Sequence, residues 1–257
     1  MIGPTPLLDY FKRGEVERDA RLEAAQGALT TRAYEQIAIL ALLVGDPDRE
    51  IRDAAEETLS RIPRETVAAF LGRSDTPLDL REFFSARGIV PEEVAPVVVD
   101  AEQPLVAPTV QEDFGEEDED RTTATQKLAK MGFSERLKAA VRGSREMRAL
   151  LIRDPNKMIA AAVLSSPKLS EPEVEAFAKM ASISDEILRI IGNNRAWTKN
   201  YNVILGLTKN PKTPLALSLN FMPRLSSRDL QMLSVDRNVP EPLRVAARKR
   251  VVANTRG

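Results

Sequence analysis

Residues 155–182 read PNKMIAAAVLSSPKLSEPEVEAFAKMAS, residues 183–210 read ISDEILRIIGNNRAWTKNYNVILGLTKN, and residues 211–238 read PKTPLALSLNFMPRLSSRDLQMLSVDRN. Aligned without a gap, these windows and a shortened fourth from residue 239 place apolar residues in shared columns. The fifth column holds Ile159, Ile187, Leu215 and Leu243, and the ninth holds Val163, Ile191, Leu219 and Ala247. A fixed period of about 20–50 residues is typical of stacked units that cannot bury their apolar faces alone. The 28-residue period therefore predicts a repeat protein.

Each window is predicted to form two helices, because apolar residues recur at spacings of three and four on either side of a break. Ser170 precedes Glu173 by three residues, as Ser226 precedes Asp229, and both pairs resemble a capping box at the start of a second helix. The core is expected to include two further columns: Leu169, Trp197 and Leu225 in the fifteenth, and Phe177, Leu205 and Leu233 in the twenty-third.

Further helices are expected upstream. Ser134 and Ser144 are predicted to cap two helices that run to Val141 and Ile152. In the first 90 residues, Thr30 or Thr31 is predicted to cap a helix through Leu43, and a Gly-Asp-Pro-Asp turn leads into an amphipathic stripe that ends at Leu59. Residues 64–71 and 77–86 are predicted to form two more short helices. The fold class expected is all-α.

Two parts of the chain resemble a known class of helical repeats. The segment LLVGDPDREIR, residues 42–52, is similar to HEAT repeats, in which an Asp-Pro turn joins two helices. The segments RDPN (153–156), NNRAWT (193–198) and KNPKTP (209–214) resemble HEAT-like and leucine-rich-repeat-variant solenoids of bacteria. This resemblance implies a right-handed α-solenoid of antiparallel helix pairs. It implies a binding scaffold and transfers no catalytic residue.

Charge divides the chain into three predicted domains. Residues 1–90 carry 12 basic and 16 acidic groups, residues 91–120 carry 11 acidic groups and no basic one, and residues 121–257 carry 25 basic and 11 acidic groups. We therefore predict a HEAT-like block over 1–90, an acidic, proline-containing disordered linker over 91–121, and a basic repeat domain over 122–257. The valines at 94, 97, 98 and 99 leave open a short docking strand within the linker.

Composition narrows the chemistry. The 257-residue chain has no cysteine and no histidine, which excludes disulfides, thiolate nucleophiles and imidazole acid–base catalysis. The first ten residues lack the pattern of a signal peptide, and no window holds 18 uninterrupted apolar residues, so a cytoplasmic location is expected. No metal-ligand spacing or phosphate loop is present, so we expect neither enzymatic activity nor a cofactor.

Several residues admit both a functional and a structural interpretation. Trp197 is either a stacking platform for a ligand or, as its column favours, a core residue. Asn193 and Asn194 serve either recognition or, as we favour, turn geometry. Four acidic residues invite comparison with helical-repeat DNA glycosylases, but each is predicted to lie at a turn or helix start, where negative charge favours the helix dipole: Asp154, Asp185, Glu186 and Asp229.

The basic residues of the repeats are the one functional signal, because stacked repeats bring equivalent columns into rows. They form either a solvated face or a binding surface. The candidates for partner binding are Arg189, Arg195, Lys199, Lys209, Lys212, Arg224, Arg228, Arg237, Arg244 and Arg248, followed by Lys249 and Arg250. The expected partner is an acidic protein or peptide, with residues 91–120 as an internal competitor. Nucleic acid is the alternative partner, and no membrane contact is expected.

Overall fold

The computed structural model describes residues 6–29, 32–92, 99–100, 103–107 and 121–255. All regular structure in these residues is helical, without a strand, which confirms the all-α prediction. No described helix has both the length and the apolar character needed to span a bilayer. The chain divides into two compact units, Met1–Lys168 (unit 1) and Leu169–Gly257 (unit 2).

Unit 1 contains ten of the described helices. They are α1 (Pro6–Arg13), α2 (Arg18–Ala25), α3 (Ala33–Leu43), α4 (Arg49–Ser60), α5 (Arg64–Leu71), α6 (Leu78–Ser85), α7 (Arg121–Lys130), α8 (Phe133–Arg142), α9 (Arg145–Leu151) and α10 (Lys157–Val163).

The core of unit 1 is built around two helices that are buried on almost every face. Helix α3 packs against α1, α2, α4 and α6, and helix α10 packs against α1, α8 and α9. Their sequences, AYEQIAILALL and KMIAAAV, are apolar around most of the helix, as expected of elements enclosed on all sides. Helix α1 joins the two through Leu7 and Leu8, both fully buried.

The first 90 residues and residues 121–168 pack together within unit 1. Lys138 on α8 forms an ion pair with Glu23 on α2 at 3.0 Å, and Ser134 also hydrogen-bonds to Glu23. Ser165, just after α10, donates to the buried Glu35 on α3 at 3.1 Å. The compact unit therefore extends beyond the charge boundary near residue 121, and the three-domain division remains a prediction.

The helix starts predicted in unit 1 are mostly confirmed. Asp48 caps α4 by accepting from the Glu50 amide at 2.9 Å, and Ser144 caps α9 by accepting from the Met147 amide at 3.3 Å. The Ser134 cap is wrong, because α8 begins at Phe133 and Ser134 already lies inside the helix. Gly132 is the N-cap there, and its amide donates to the Glu135 carboxylate. The predicted caps Thr30 and Thr31 lie outside the described residues.

Unit 2 contains six α-helices and two single 3₁₀ turns among its described residues. They are α11 (Glu171–Lys179), α12 (Asp185–Asn193), the turn Trp197–Lys199, α13 (Tyr201–Lys209), α14 (Leu215–Phe221), the turn Met222–Arg224, α15 (Ser227–Val235) and α16 (Glu241–Thr255). Helix α13 packs against α11, α12 and α14, and α16 packs against α14 and α15.

The starts of the first helices in the windows depart from a gapless alignment. Helices α10, α12, α14 and α16 begin at residues 157, 185, 215 and 241, so the intervals between them are 28, 30 and 26 residues. Pro214 is the N-cap of α14, and the residue before a proline is disfavoured in the α region, so this helix starts late. A strict 28-residue period remains a prediction.

Because α14 starts late, the residues that it buries differ from those that the gapless alignment predicts. Leu219, in the ninth column, is 37% exposed, whereas Phe221, two positions later, is 7% exposed. Leu205 and Leu215, both predicted core residues, are only half-buried. Ile187, Ile191 and Leu233 are buried as predicted.

Candidate partner-binding surface

The ten predicted binding residues all belong to unit 2, and most are exposed. Lys209 and Arg244 are half-buried, and the other eight are exposed: Arg189, Arg195, Lys199, Lys212, Arg224, Arg228, Arg237 and Arg248. Residues 187–228 contain seven basic residues and no acidic one. This part of the sequence therefore offers no carboxylate to neutralise its own cations.

Four of the ten are engaged within unit 2. Arg224 donates to the Thr198 carbonyl at 2.7 Å, and Arg248 donates to the Ser234 carbonyl at 3.0 Å. Arg244 pairs with Glu241 at 2.8 Å, and Lys209 lies 3.9 Å from Asp229. None of the other six forms an ion pair with a described residue: Arg189, Arg195, Lys199, Lys212, Arg228 and Arg237.

The bond from Arg224 to Thr198 joins two basic turns. Thr198 belongs to the 3₁₀ turn after α12 and Arg224 to the 3₁₀ turn after α14, so the two turns lie side by side. Arg195 precedes the first turn, Lys199 is its last residue, and Arg228 follows the second within the first turn of α15. We refer to Arg195, Lys199, Arg224 and Arg228 as the turn edge.

The local sequence explains how the turn edge is held. The Asn194 side chain accepts from the amides of Ala196 and Trp197 at 2.9 and 3.3 Å, which fixes the chain between α12 and its 3₁₀ turn. The structural interpretation of Asn194 is thereby confirmed. Trp197 is half-buried within the turn, so its predicted place in the core is only partly right.

The remaining candidates lie elsewhere on unit 2. Lys209 and Lys212 flank the end of α13, Arg237 lies between α15 and α16, and Arg189 lies on α12. Lys209 lies 3.9 Å from Asp229, the residue that follows Arg228 of the turn edge. That the ten cations form one basic face remains a prediction.

A polar network lies directly beside the turn edge. The Asp229 carboxylate accepts from the Ser226 hydroxyl at 2.6 Å and from the Tyr201 hydroxyl at 2.5 Å, and its own amide donates to Ser226 at 3.1 Å. The Ser226 and Tyr201 hydrogen bonds lower the pKa of Asp229, and the charges of Lys209 and Arg228 add to this effect. Ser226 is the N-cap of α15 as predicted, but the full capping box is not formed, because the Ser226 amide donates to the Tyr201 hydroxyl and not to the Asp229 carboxylate.

The other acidic candidates also serve as turn and cap residues. Asp154 accepts from the Asn156 amide at 2.8 Å and pairs with Arg136 at 2.7 Å within unit 1. Asp185 and Glu186 lie in the first turn of α12 in unit 2. Among the described residues, no group of three or more acidic side chains is placed to hold a metal ion.

A shallow, open depression of about 600 Å³ lies along α4 in unit 1. It is lined by Asp48, Arg49, Glu50, Asp53, Ala54 and Glu57. Arg18 pairs with two of these carboxylates, at 2.7 Å from Asp48 and 2.5 Å from Glu50. The Arg18 hydrogen bond lowers the pKa of Asp48, so this surface carries charged carboxylates facing solvent.

Sequence reasoning missed one polar site, at Gln36 on α3. Gln36 is 3% exposed, and its side-chain amide hydrogen-bonds to the backbone of Leu105 and Val106. The signal was present: Glu35 and Gln36 are the two polar residues in an otherwise apolar helical stretch, apart from the Tyr34 hydroxyl. A buried polar side chain requires a hydrogen-bond partner, and here that partner is supplied by a segment 69 to 70 residues away.

Comparison of the chain with models of protein families, with curated proteins and with solved structures finds no match.

Proposed function

We propose that this chain is a non-enzymatic helical-repeat scaffold and that the turn edge of unit 2 binds an acidic protein partner. In finer architecture we propose a HEAT-like, right-handed solenoid of antiparallel helix pairs with a mean period near 28 residues. The observation that carries the proposal is the Arg224–Thr198 bond, which brings two basic turns together within a sequence stretch that holds no carboxylate.

The electrostatics of such a surface favour recognition over stability. Exposed ion pairs contribute only about 0–1 kcal/mol each, so arginines and lysines on the turn edge add little to folding. A cluster of one sign instead raises the local concentration of an oppositely charged partner and speeds its association. Arg195, Lys199 and Arg228 are exposed and form no ion pair with another described residue, so they are available to carboxylates of a partner.

The test is a titration of the full chain with the acidic peptide QEDFGEEDED, residues 111–120, followed by calorimetry. We expect Arg195→Glu/Arg228→Glu to weaken binding at least about ten-fold, which corresponds to roughly 1.4 kcal/mol. The matched control is Lys130→Glu/Arg145→Glu, which makes the same charge change at exposed positions of unit 1. Equal weakening by both pairs would show a non-specific effect of net charge and contradict the proposal.

The acidic run Glu112–Asp120, which lies outside the described residues, is proposed as an internal competitor for the same surface. Tethering gives such a segment an effective concentration of order millimolar, so even a weak contact is occupied. Replacing its seven carboxylates by amides is expected to raise the affinity of the added peptide and the salt dependence of binding. Unchanged affinity for the added peptide would show that residues 112–120 do not compete for the turn edge.

Nucleic acid is the second candidate partner, because exposed arginines and lysines also contact phosphates. Aromatic residues make up only 5% of the chain, which offers few platforms for stacked bases. A DNA duplex titrated in place of the peptide distinguishes the two. Tighter binding of the duplex than of the peptide, with a steep loss of affinity between low and physiological salt, would favour nucleic acid.

A further inference from the structure

A short segment of unit 1 is held by a single buried glutamine. The Gln36 side-chain nitrogen donates to the Val106 carbonyl at 2.8 Å, and its oxygen accepts from the Leu105 and Val106 amides at 2.7 and 3.1 Å. A carboxamide that both donates to and accepts from one residue satisfies both backbone polar groups of that residue. The segment concerned is residues 103–107, with sequence QPLVA.

Two further contacts hold this segment in place. The Arg61 guanidinium, just past the end of α4, donates to the Ala107 carbonyl at 2.9 Å. The Val106 side chain is 9% exposed, while Pro104 and Leu105 are half-buried. Four hydrogen bonds and one buried aliphatic side chain therefore hold the segment between α3 and the end of α4.

All four hydrogen bonds are made to backbone atoms of the segment. Backbone groups are present in every peptide, so these bonds select the bent backbone conformation at Leu105 and Val106 and not a particular sequence. Only the position of Val106 is selected by a side chain, through burial of a small aliphatic group. The surface formed by α3 and the end of α4 thus has the properties of a peptide-binding site that is already occupied.

We propose that α3 and the end of α4 form a docking site for a short bent peptide segment with one small aliphatic residue. Residues 103–107 occupy the site in cis, and an uncharged segment of the same chemistry from another protein replaces them by exchange. Departure of the cis segment breaks the three hydrogen bonds of the Gln36 amide and ends the burial of Val106, whereas a replacement peptide restores both. An empty site is therefore costly, and a replacement peptide is favoured.

The test uses the uncharged peptide QPLVAPTV, residues 103–110 with blocked ends, so that the basic turn edge does not contribute to binding. Val106→Asp in the full chain places a charge at the buried position of Val106 and releases the cis segment. We expect this variant to bind the labelled peptide at least about ten-fold more tightly than the wild-type chain, in which the tethered segment competes at millimolar effective concentration. Fluorescence anisotropy measures both affinities.

Three controls make the result specific. Val90→Asp makes the same change at a valine that is 69% exposed, and it is expected to bind no more tightly than wild type. Adding Gln36→Leu to Val106→Asp is expected to abolish binding, whereas adding Gln26→Leu, at an exposed glutamine of α2's C-cap, is expected to leave it intact. The peptide QPLDAPTV is expected not to bind.

A chain in which residues 103–107 are replaced by Gly-Ser-Gly-Ser-Gly gives a second measurement of peptide binding, one that does not depend on the folding of Val106→Asp. Saturable binding of QPLVAPTV to either folded variant, with loss on Gln36→Leu, supports the docking site. Absence of binding to the folded variants up to millimolar peptide shows that residues 103–107 are a fixed strap and overturns the proposal. Equal binding to wild type, Val90→Asp and the Gln36→Leu variants overturns it as well.

Discussion

Asp229 shows how one side chain links the cap of a helix to the turn edge. Its carboxylate accepts hydrogen bonds from the hydroxyl of Ser226, the N-cap of α15, and from Tyr201, 28 residues earlier on α13. Tyr201 in turn accepts from the Ser226 amide at 3.0 Å. The Ser–Asp spacing correctly predicts the Ser226 cap, but nothing in the local pattern predicts that Tyr201 replaces the carboxylate as acceptor of the Ser226 amide, because that contact depends on how α13 packs near α15.

The first prediction concerns this tyrosine. Tyr201→Phe removes one hydrogen bond to the ionised carboxylate, so the pKa of Asp229 is expected to rise toward its ordinary value of 3.8. Carbon-detected NMR of the Asp229 carboxyl measures the change directly.

The same bond has a predictable effect on stability against pH. Because the folded pKa of Asp229 is lowered, its contribution is fully present above the ordinary pKa and is lost as pH falls through the folded value. Tyr201→Phe is therefore expected to destabilise the chain at neutral pH, with the difference narrowing below about pH 4. A difference in melting temperature that stays constant down to pH 2 would contradict this assignment.

At the scale of the element, the sequence predicts helices best where a cap and an apolar stripe coincide. Residues 64–71 form α5 with the predicted bounds, and the Ser144 and Ser170 starts are found at α9 and α11. Helices α1, α2 and α7 were not predicted. Helices α2 and α7 bury few large apolar side chains, so each gives a weak periodic signal. Helix α1 buries Leu7, Leu8, Tyr10 and Phe11, an apolar stripe that the sequence reasoning overlooked.

Helix α14 supplies the clearest test at this scale. The gapless columns place Leu219 in the core, whereas the structure buries Phe221 there because Pro214 delays the helix start. We expect Phe221→Ala to cost about 3–5 kcal/mol, as is usual for a buried phenylalanine. Leu219→Ala, the matched change on the exposed face, is expected to cost less than about 1 kcal/mol.

Urea denaturation of the two alanine variants measures this difference. If Leu219→Ala is the more damaging, α14 follows the gapless 28-residue columns and the shifted register described here is wrong. The result also bears on neighbouring helices, because stacked units lose stability together when one interface is weakened.

At the scale of the whole molecule, the net charge of each part depends on where the compact units divide, and that boundary differs from the one predicted from the sequence. Unit 1 contains 23 basic and 30 acidic residues, a net charge of −7, and unit 2 contains 14 basic and 8 acidic residues, a net charge of +6. Eleven of the 25 basic residues in 121–257 thus belong to unit 1. Some pair with its carboxylates, as Lys138 does with Glu23.

The sequence therefore shows correctly that the chain is acidic toward its N-terminus and basic toward its C-terminus. It overestimates the number of basic residues that the C-terminal compact unit carries. Charge counting follows chain order, whereas a compact unit is defined by contacts such as Lys138–Glu23 and Ser165–Glu35 that join distant segments. The same limit applies to the turn edge. Its four residues are visible in the sequence, but their proximity follows from the Arg224–Thr198 bond across 26 positions.

The most direct test of the turn edge is an NMR titration of the full chain with the acidic peptide QEDFGEEDED. The account predicts that backbone amide shifts change most in residues 195–199 and 224–228, and that Arg195→Glu/Arg228→Glu removes those changes. Shifts spread evenly over the basic residues of both units, or confined to unit 1, would contradict it.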